Sequence, residues 1–157
     1  MNSPQPDAEC LALIARLDSL MLATRSEQHH AEASYAPFLF DRGAFHIFVS
    51  ALASHTGNLL THRRAGVLLI EPEADAANPF ARRRASFECR VAEVEADSGE
   101  YSSVLDSMQQ RLGATVALLR SLPDFRLLAL TPIHGRYIAG FGQAYDLDTR
   151  RFGESAD

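Results

Sequence analysis

Apolar and polar residues recur along this chain with two different periods, and the changes of period mark its elements. Leu11, Ile14, Ala15 and Leu17 share one helical face, and Asp7 places a negative charge near the start, which predicts a helix over residues 6–20. Short apolar or alternating runs predict strands at 21–24, 33–40, 44–50, 66–71 and 84–96. Residues 25–30 are polar and read as a turn. Pro37 lies inside the second strand, which predicts an edge or a bulge there. Asp41-Arg42-Gly43 has the composition of a tight hairpin connection. A short helix is predicted over 55–64. Asp97-Ser98 offers an N-cap for a helix over 99–112, Gly113 breaks it, and a second helical stretch follows over 114–122. Two further strands, 125–130 and 135–141, flank a Thr131-Pro132 turn, and 149–157 reads as a polar tail. Six or seven strands without regular β-α-β alternation predict one antiparallel α+β domain over 1–157, with strands enough to close a small barrel.

Composition narrows the function classes. The chain has 157 residues, 46% of them hydrophobic and 22% charged, the balance of a globular domain. Its net charge of −5 disfavours nucleic acid as a partner. The apolar runs Gly66-Val67-Leu68-Leu69-Ile70 and Leu127-Leu128-Ala129-Leu130 are far too short to span a membrane. Residues 1–9 carry neither a basic residue nor an apolar run, so a cytoplasmic protein is expected. Cys10 and Cys89 have no metal-type spacing and are expected to be free thiols. All 15 basic residues are arginine, which excludes Schiff-base chemistry on a lysine.

Two stretches carry candidate chemistry. From Ser50 to Asn58, small polar side chains (Ser54, His55, Thr56, Asn58) meet a helix start, where backbone N–H groups suit an anion; Ser54 as a plain N-cap is the competing reading. In Arg82-Arg83-Arg84 successive strand residues face opposite ways, so Arg82 and Arg84 share a side. Their guanidinium groups suit a carboxylate or phosphate, and a solvated charge cluster is the alternative. None of the six histidines sits in a metal-binding pattern; His46 alternates with Phe45 and Ile47 and so points to one face of a strand.

Taken with Ser34-Tyr35-Ala36-Pro37-Phe38 and Phe141-Gly142-Gln143-Ala144-Tyr145, these blocks resemble the haem-utilisation (HugZ/HutZ-type) branch of the split-barrel proteins related to pyridoxamine 5′-phosphate oxidase. The resemblance spans about residues 20–147. It implies a six- to seven-stranded split β-barrel of the FMN-binding type with peripheral helices, and a planar cofactor held at a homodimer interface. Haem is the implied cofactor and FMN the alternative. Flavin enzymes of this superfamily grip the FMN phosphate with basic residues where Ser54, His55 and Thr56 stand here, and the arginine they use near Ala33-Ser34 is absent. The haem branch resembles the chain at His55, its arginine near the haem matches Arg84, and Asp124 matches its acidic residue that supports the axial ligand. The family's axial histidine belongs to a C-terminal tail, and this chain has no histidine after His134. His55 is then the candidate neighbour of the iron, with Ser50, Ser54, Thr56, Asn58, Arg82, Arg84 and Asp124 as cofactor-binding candidates. Phe141 is expected to fill the core. The expected function is haem binding or degradation in iron utilisation; an FMN-binding oxidoreductase and a cofactor-free dimeric scaffold are the alternatives.

Overall fold

The computed structural model describes residues 5–153. The outermost parts of the expected domain, 1–4 and 154–157, lie outside the described residues. Four helices and eight strands follow in the order α1 (Pro6–Arg16), β1 (Ser19–Arg25), β2 (Ala31–Pro37), β3 (Leu39–Asp41), β4 (Ala44–Ser50), α2 (Ser54–His62), β5 (Arg64–Ile70), β6 (Arg84–Val94), α3 (Gly99–Leu112), α4 (Ala114–Arg120), β7 (Phe125–Gly140) and β8 (Gln143–Asp146). The fold is α+β, and every strand pairing is antiparallel.

The strands hydrogen-bond in the order β2-β1-β5-β6-β7-β4-β3, with β8 added on β7. The two ends of that order are neighbours in sequence. The segment from Ala31 to Asp41 therefore leaves one edge of the sheet as β2 and joins the other edge as β3, curling the sheet into a barrel. Phe38 bridges the two. It is buried, and its N–H donates to the Asp18 carbonyl at 3.0 Å. The barrel interior holds alternating residues of β1, β5 and β6 (Leu20, Leu22, Val67, Leu69, Ala85, Phe87) against Phe38, Phe45 and Tyr137. A second apolar cluster lies under the α3–α4 pair, around Val104, Leu105, Met108, Val116 and Leu127.

Several expected boundaries shift for identifiable reasons. The first helix ends at Arg16, not residue 20: Leu17 is already extended, and Leu20 and Leu22 point into the barrel with period two. The carbonyls it leaves free at Ala15 and Leu17 accept from Arg111 Nη2 of α3, at 2.7 and 3.2 Å. The expected strand 33–40 is two strands, β2 and β3. The expected strands 125–130 and 135–141 are one, β7, because Thr131-Pro132 is not a turn: Cys89 pairs with Pro132 and Glu88 with His134, so Ile133 is an extra residue in a bulge. With β8 this gives eight strands. The expected hairpin at Arg42-Gly43 is present, and both residues take positive φ (53° and 76°), as two-residue turns of the primed kind require. Gly43 is also needed sterically, since a Cβ there would stand 2.7 Å from the Gly153 Cα.

That contact reflects a second correction. The tail from Thr149 is not merely polar: a 3₁₀ turn (Thr149–Gly153) drives Phe152 into the barrel end, against Phe40 and Phe87. Phe141, in contrast, does not fill the core; it sits at the tip of the β7–β8 hairpin with 82% of its surface exposed. Cys10 and Cys89 are free and buried, and burial pushes both thiols up to about 12, out of the reactive range. No helix among the described residues is long and apolar enough to cross a membrane.

One buried group makes this fold sensitive to acid. His46 on β4 is 1% exposed, and neither ring nitrogen has a hydrogen-bond partner among the described residues. Its Nε2 stands 3.7 Å from Glu100 Oε1. Burial lowers its pKa below the ordinary 6.5, outweighing the opposite pull of the Asp41 and Glu100 carboxylates. Below pH 6.5 the unfolded chain takes up a proton that the folded chain refuses. Stability is therefore complete above that pH and declines as pH falls through it towards the lower folded value. The slope in that window reaches up to about 1.4 kcal/mol per pH unit for one proton. Urea unfolding from pH 7.5 to 5.5 should show this decline, and His46→Leu should reduce its slope, leaving the share of His55, whose pKa burial also lowers; equal pH slopes in both proteins would place the acid sensitivity elsewhere.

Candidate functional site

Past Ala36 the barrel is not sealed by hydrogen bonds. β2 pairs with β1 and β4 pairs with β3 and β7, but no ladder joins β2 to β4 among the described residues. Pro37 helps keep that seam open. The Phe38 N–H points to the β1 side, so the nitrogen of Pro37 points the other way, towards β4, where it has no proton to donate.

The seam opens into a cavity of about 580 Å³, within the usual range of small-molecule sites. Tyr35, Ala36 and Pro37 form one wall and Phe48, Val49 and Ser50 another. Met108 and Leu112 of α3, Val116 and Leu119 of α4, and Phe125 cover it. These walls are mostly apolar, with Asp18, Ser19 and Thr115 at their margins, and further polar groups gather where α2 meets β2.

There His55 lines the cavity and its Nδ1 lies 2.9 Å from Ser34 Oγ. With Nδ1–H donating to Ser34, the Nε2 lone pair is free for an electrophile or metal. Burial lowers the pKa of this imidazole, which favours the neutral form a metal requires. Ser50 Oγ also lines the cavity; it donates to Asp124 Oδ2 at 3.1 Å and accepts from the Leu52 N–H. Asp124 further holds this corner through its carbonyl, which accepts from the Ala51 N–H at 2.6 Å.

The remaining α2 candidates have other commitments. Thr56 is buried; its hydroxyl donates to the Ser50 carbonyl at 2.6 Å and its N–H to the Ala53 carbonyl. Ser54 does not cap α2, whose N-cap is Ala53 with no side-chain bond. Ser54 Oγ instead donates to Glu32 Oε2 at 2.8 Å, and Asn58 Nδ2 donates to the same oxygen at 2.9 Å and to Thr24 Oγ1. Glu32 and Ser34 share the inner side of β2, a period-two signal that the sequence carried and that would have located both. The α3–α4 wall had no comparable signal, because an amphipathic helix does not name the surface it covers.

Arg82 and Arg84 are elsewhere. Arg82 donates to the Glu71 carbonyl from Nε and Nη2, at 3.0 and 2.6 Å, and Arg84 Nη1 donates to the Arg82 carbonyl at 2.8 Å. Neither arginine lines the cavity; Arg84 begins β6 at the level of Ser86, which lies across β5 and β1 from Tyr35. The fold therefore brings Ser50, His55 and Asp124 into one corner, and the arginines do not line it.

Comparison with known proteins agrees with this architecture. The pyridoxamine 5′-phosphate oxidase family profile matches residues 6–139. The haem oxygenase HutZ of Vibrio cholerae is 36% identical over 129 residues, covering 82% of this chain and 73% of that protein. The crystal structure of HutZ from Vibrio cholerae, described as a haem storage protein, superposes with a TM-score of 0.79 at 30% identity, covering 87% of this chain and 96% of that one. ChuZ of Campylobacter jejuni gives 0.83 at 25% identity, covering 90% of this chain and 58% of that one. With a profile match over most of its length and 36% identity to HutZ, the chain belongs to the pyridoxamine 5′-phosphate oxidase family, in its HugZ/HutZ-type branch.

Proposed function

We propose that this protein binds haem in the seam between β2 and β4 and serves haem storage or breakdown in iron utilisation, in the cytoplasm. One observation carries the reading: the apolar seam cavity has a single imidazole at its polar end, oriented by Ser34 and held towards neutrality by burial. A large flat apolar ring suits walls of Phe48, Met108, Leu112, Val116 and Phe125, and a neutral His55 suits an iron. The relatives named for haem, HutZ above all, point the same way. Bound haem would supply iron-centred oxygen chemistry; the chain's own residues bind, orient and exclude water. Ser34 fixes the His55 tautomer, Asp124 and Ser50 fix the end of β4, and the α3–α4 pair covers the apolar face. Haemin titration should give a saturable Soret change. His55→Ala should weaken binding about tenfold or more, equivalent to about 1.4 kcal/mol, and move the band; an unchanged affinity and spectrum would remove His55 from the site.

No arginine lines the cavity, so a haem carboxylate finds no basic partner within one protomer. We infer that a second copy completes the site. The outer face of β2-β1-β5 presents Tyr35 and Met21, 60% and 49% exposed, beside Ala33, Ala23, Leu68 and Gly66 in cross-strand register. This is a small-residue apolar surface around two large side chains, the composition of a self-complementary interface. Through it a two-fold partner could bring its Arg82–Arg84 corner towards this cavity. Sedimentation should give a dimer at micromolar concentration and a monomer for Met21→Arg; a wild-type monomer, or a dimer unaffected by that charge, would contradict this face.

A further inference from the structure

Glu32 has no role in the haem reading and does not itself line the cavity; it stands beyond Ser34 on β2, against the side chains of α2. Its Oε2 accepts from both Ser54 Oγ and Asn58 Nδ2. Asn58 is itself buried and is held from the other side by Thr24. Glu32 makes no ion pair among the described residues, so its charge is not offset by a basic neighbour. Two residues along the same side of β2, about 7 Å away at strand rise, Ser34 holds His55 at the cavity wall.

We propose that Glu32 is a specificity determinant that selects ligands by charge at this end of the cavity and turns away those carrying a phosphate there. The proposal rests on the seam being the ligand site. An anionic group arriving beside α2 meets a fixed negative charge with no screening cation. It also finds the neutral donors, Ser54 and Asn58, already engaged. A phosphate would have to displace a carboxylate from both bonds, and neither a neutral nor a cationic group faces that barrier. By the same reasoning the carboxylates of a bound porphyrin point away from α2, towards the open side of the seam. The Glu32 carboxylate thus takes up the Ser54 and Asn58 donors that an exogenous anion would otherwise use.

FMN and riboflavin differ only by one phosphate, so the ratio of their dissociation constants reads this charge directly. Fluorescence quenching should show that the wild-type protein binds FMN no more tightly than riboflavin. Glu32→Gln retains an oxygen acceptor for Ser54 and Asn58 but removes the charge, and should shift the ratio at least tenfold in favour of FMN. Glu32→Ser, which frees both donors, should shift it in the same direction. Circular dichroism melting checks that both variants fold. A wild-type preference for FMN overturns the proposal. So does a ratio that both folded variants leave unchanged, and so does failure of either flavin to bind any of the three proteins. Haemin binding is read separately by the Soret band, so loss of the haem reading and loss of this one are distinguishable.

Discussion

The architecture depends on how one stretch of chain closes the barrel. Residues 31–41 must serve both edges of the same sheet, pairing with β1 as β2 and with β4 as β3. No single straight strand can do both along its whole length, so the chain changes partners at Pro37-Phe38. Phe38 anchors the change by burying its ring and bonding the Asp18 carbonyl. Pro37 withholds a backbone donor from the β4 side. A seam follows, and with it a cavity that β-pairing would otherwise have filled. The α3–α4 pair then covers what the sheet leaves open, tied back to the end of α1 by Arg111.

The distribution of charge around that seam sets what it can hold. The cavity walls are mostly apolar, its one imidazole is shifted towards the neutral form, and the nearest fixed charge on β2 is a carboxylate. The arginines sit at the start of β6 and just before it, committed to the Glu71 and Arg82 carbonyls. A ligand in the cavity therefore meets hydrophobic contact, a neutral nitrogen, hydroxyls and the Asp18 carboxylate, itself paired with Arg111. No arginine on the cavity wall offers an anionic group an anchor, which is the place the proposed second copy would fill.

Much of this was legible in the sequence, and the exceptions share a cause. The bounds of α3 follow from Ser98, whose side chain accepts from the Tyr101 N–H, and from the Gly113 break. The Asp41-Arg42-Gly43 hairpin and the edge character of the Pro37 strand are equally local signals. Thr131-Pro132 misled because proline ordinarily ends a central strand; here a bulge opposite Glu88 and Cys89 accommodates it, and only the partner strand reveals that. β8 is four residues long and has no identity apart from its pairing with β7. Phe141 and Phe152 look alike by composition, and tertiary position alone exposes the first and buries the second. In the site, Ser50 and His55 stood out as a polar cluster after a strand. Glu32 stood apart in sequence from the helix it bonds, although alternation along β2 placed it beside Ser34. Arg82 and Arg84 were grouped with His55 by type of chemistry, but both bond backbone carbonyls and neither lines the cavity.

The central claim is that the opening between β2 and β4 is where the ligand sits. A crystal structure of the protein with haemin tests it most directly. The account predicts the porphyrin ring in the seam, with Phe48 and the α3–α4 side chains on its apolar face, the His55 nitrogen nearest the iron and the carboxylates turned away from Glu32. A porphyrin bound elsewhere on the barrel, with β2 and β4 still apart and the seam empty, would contradict it.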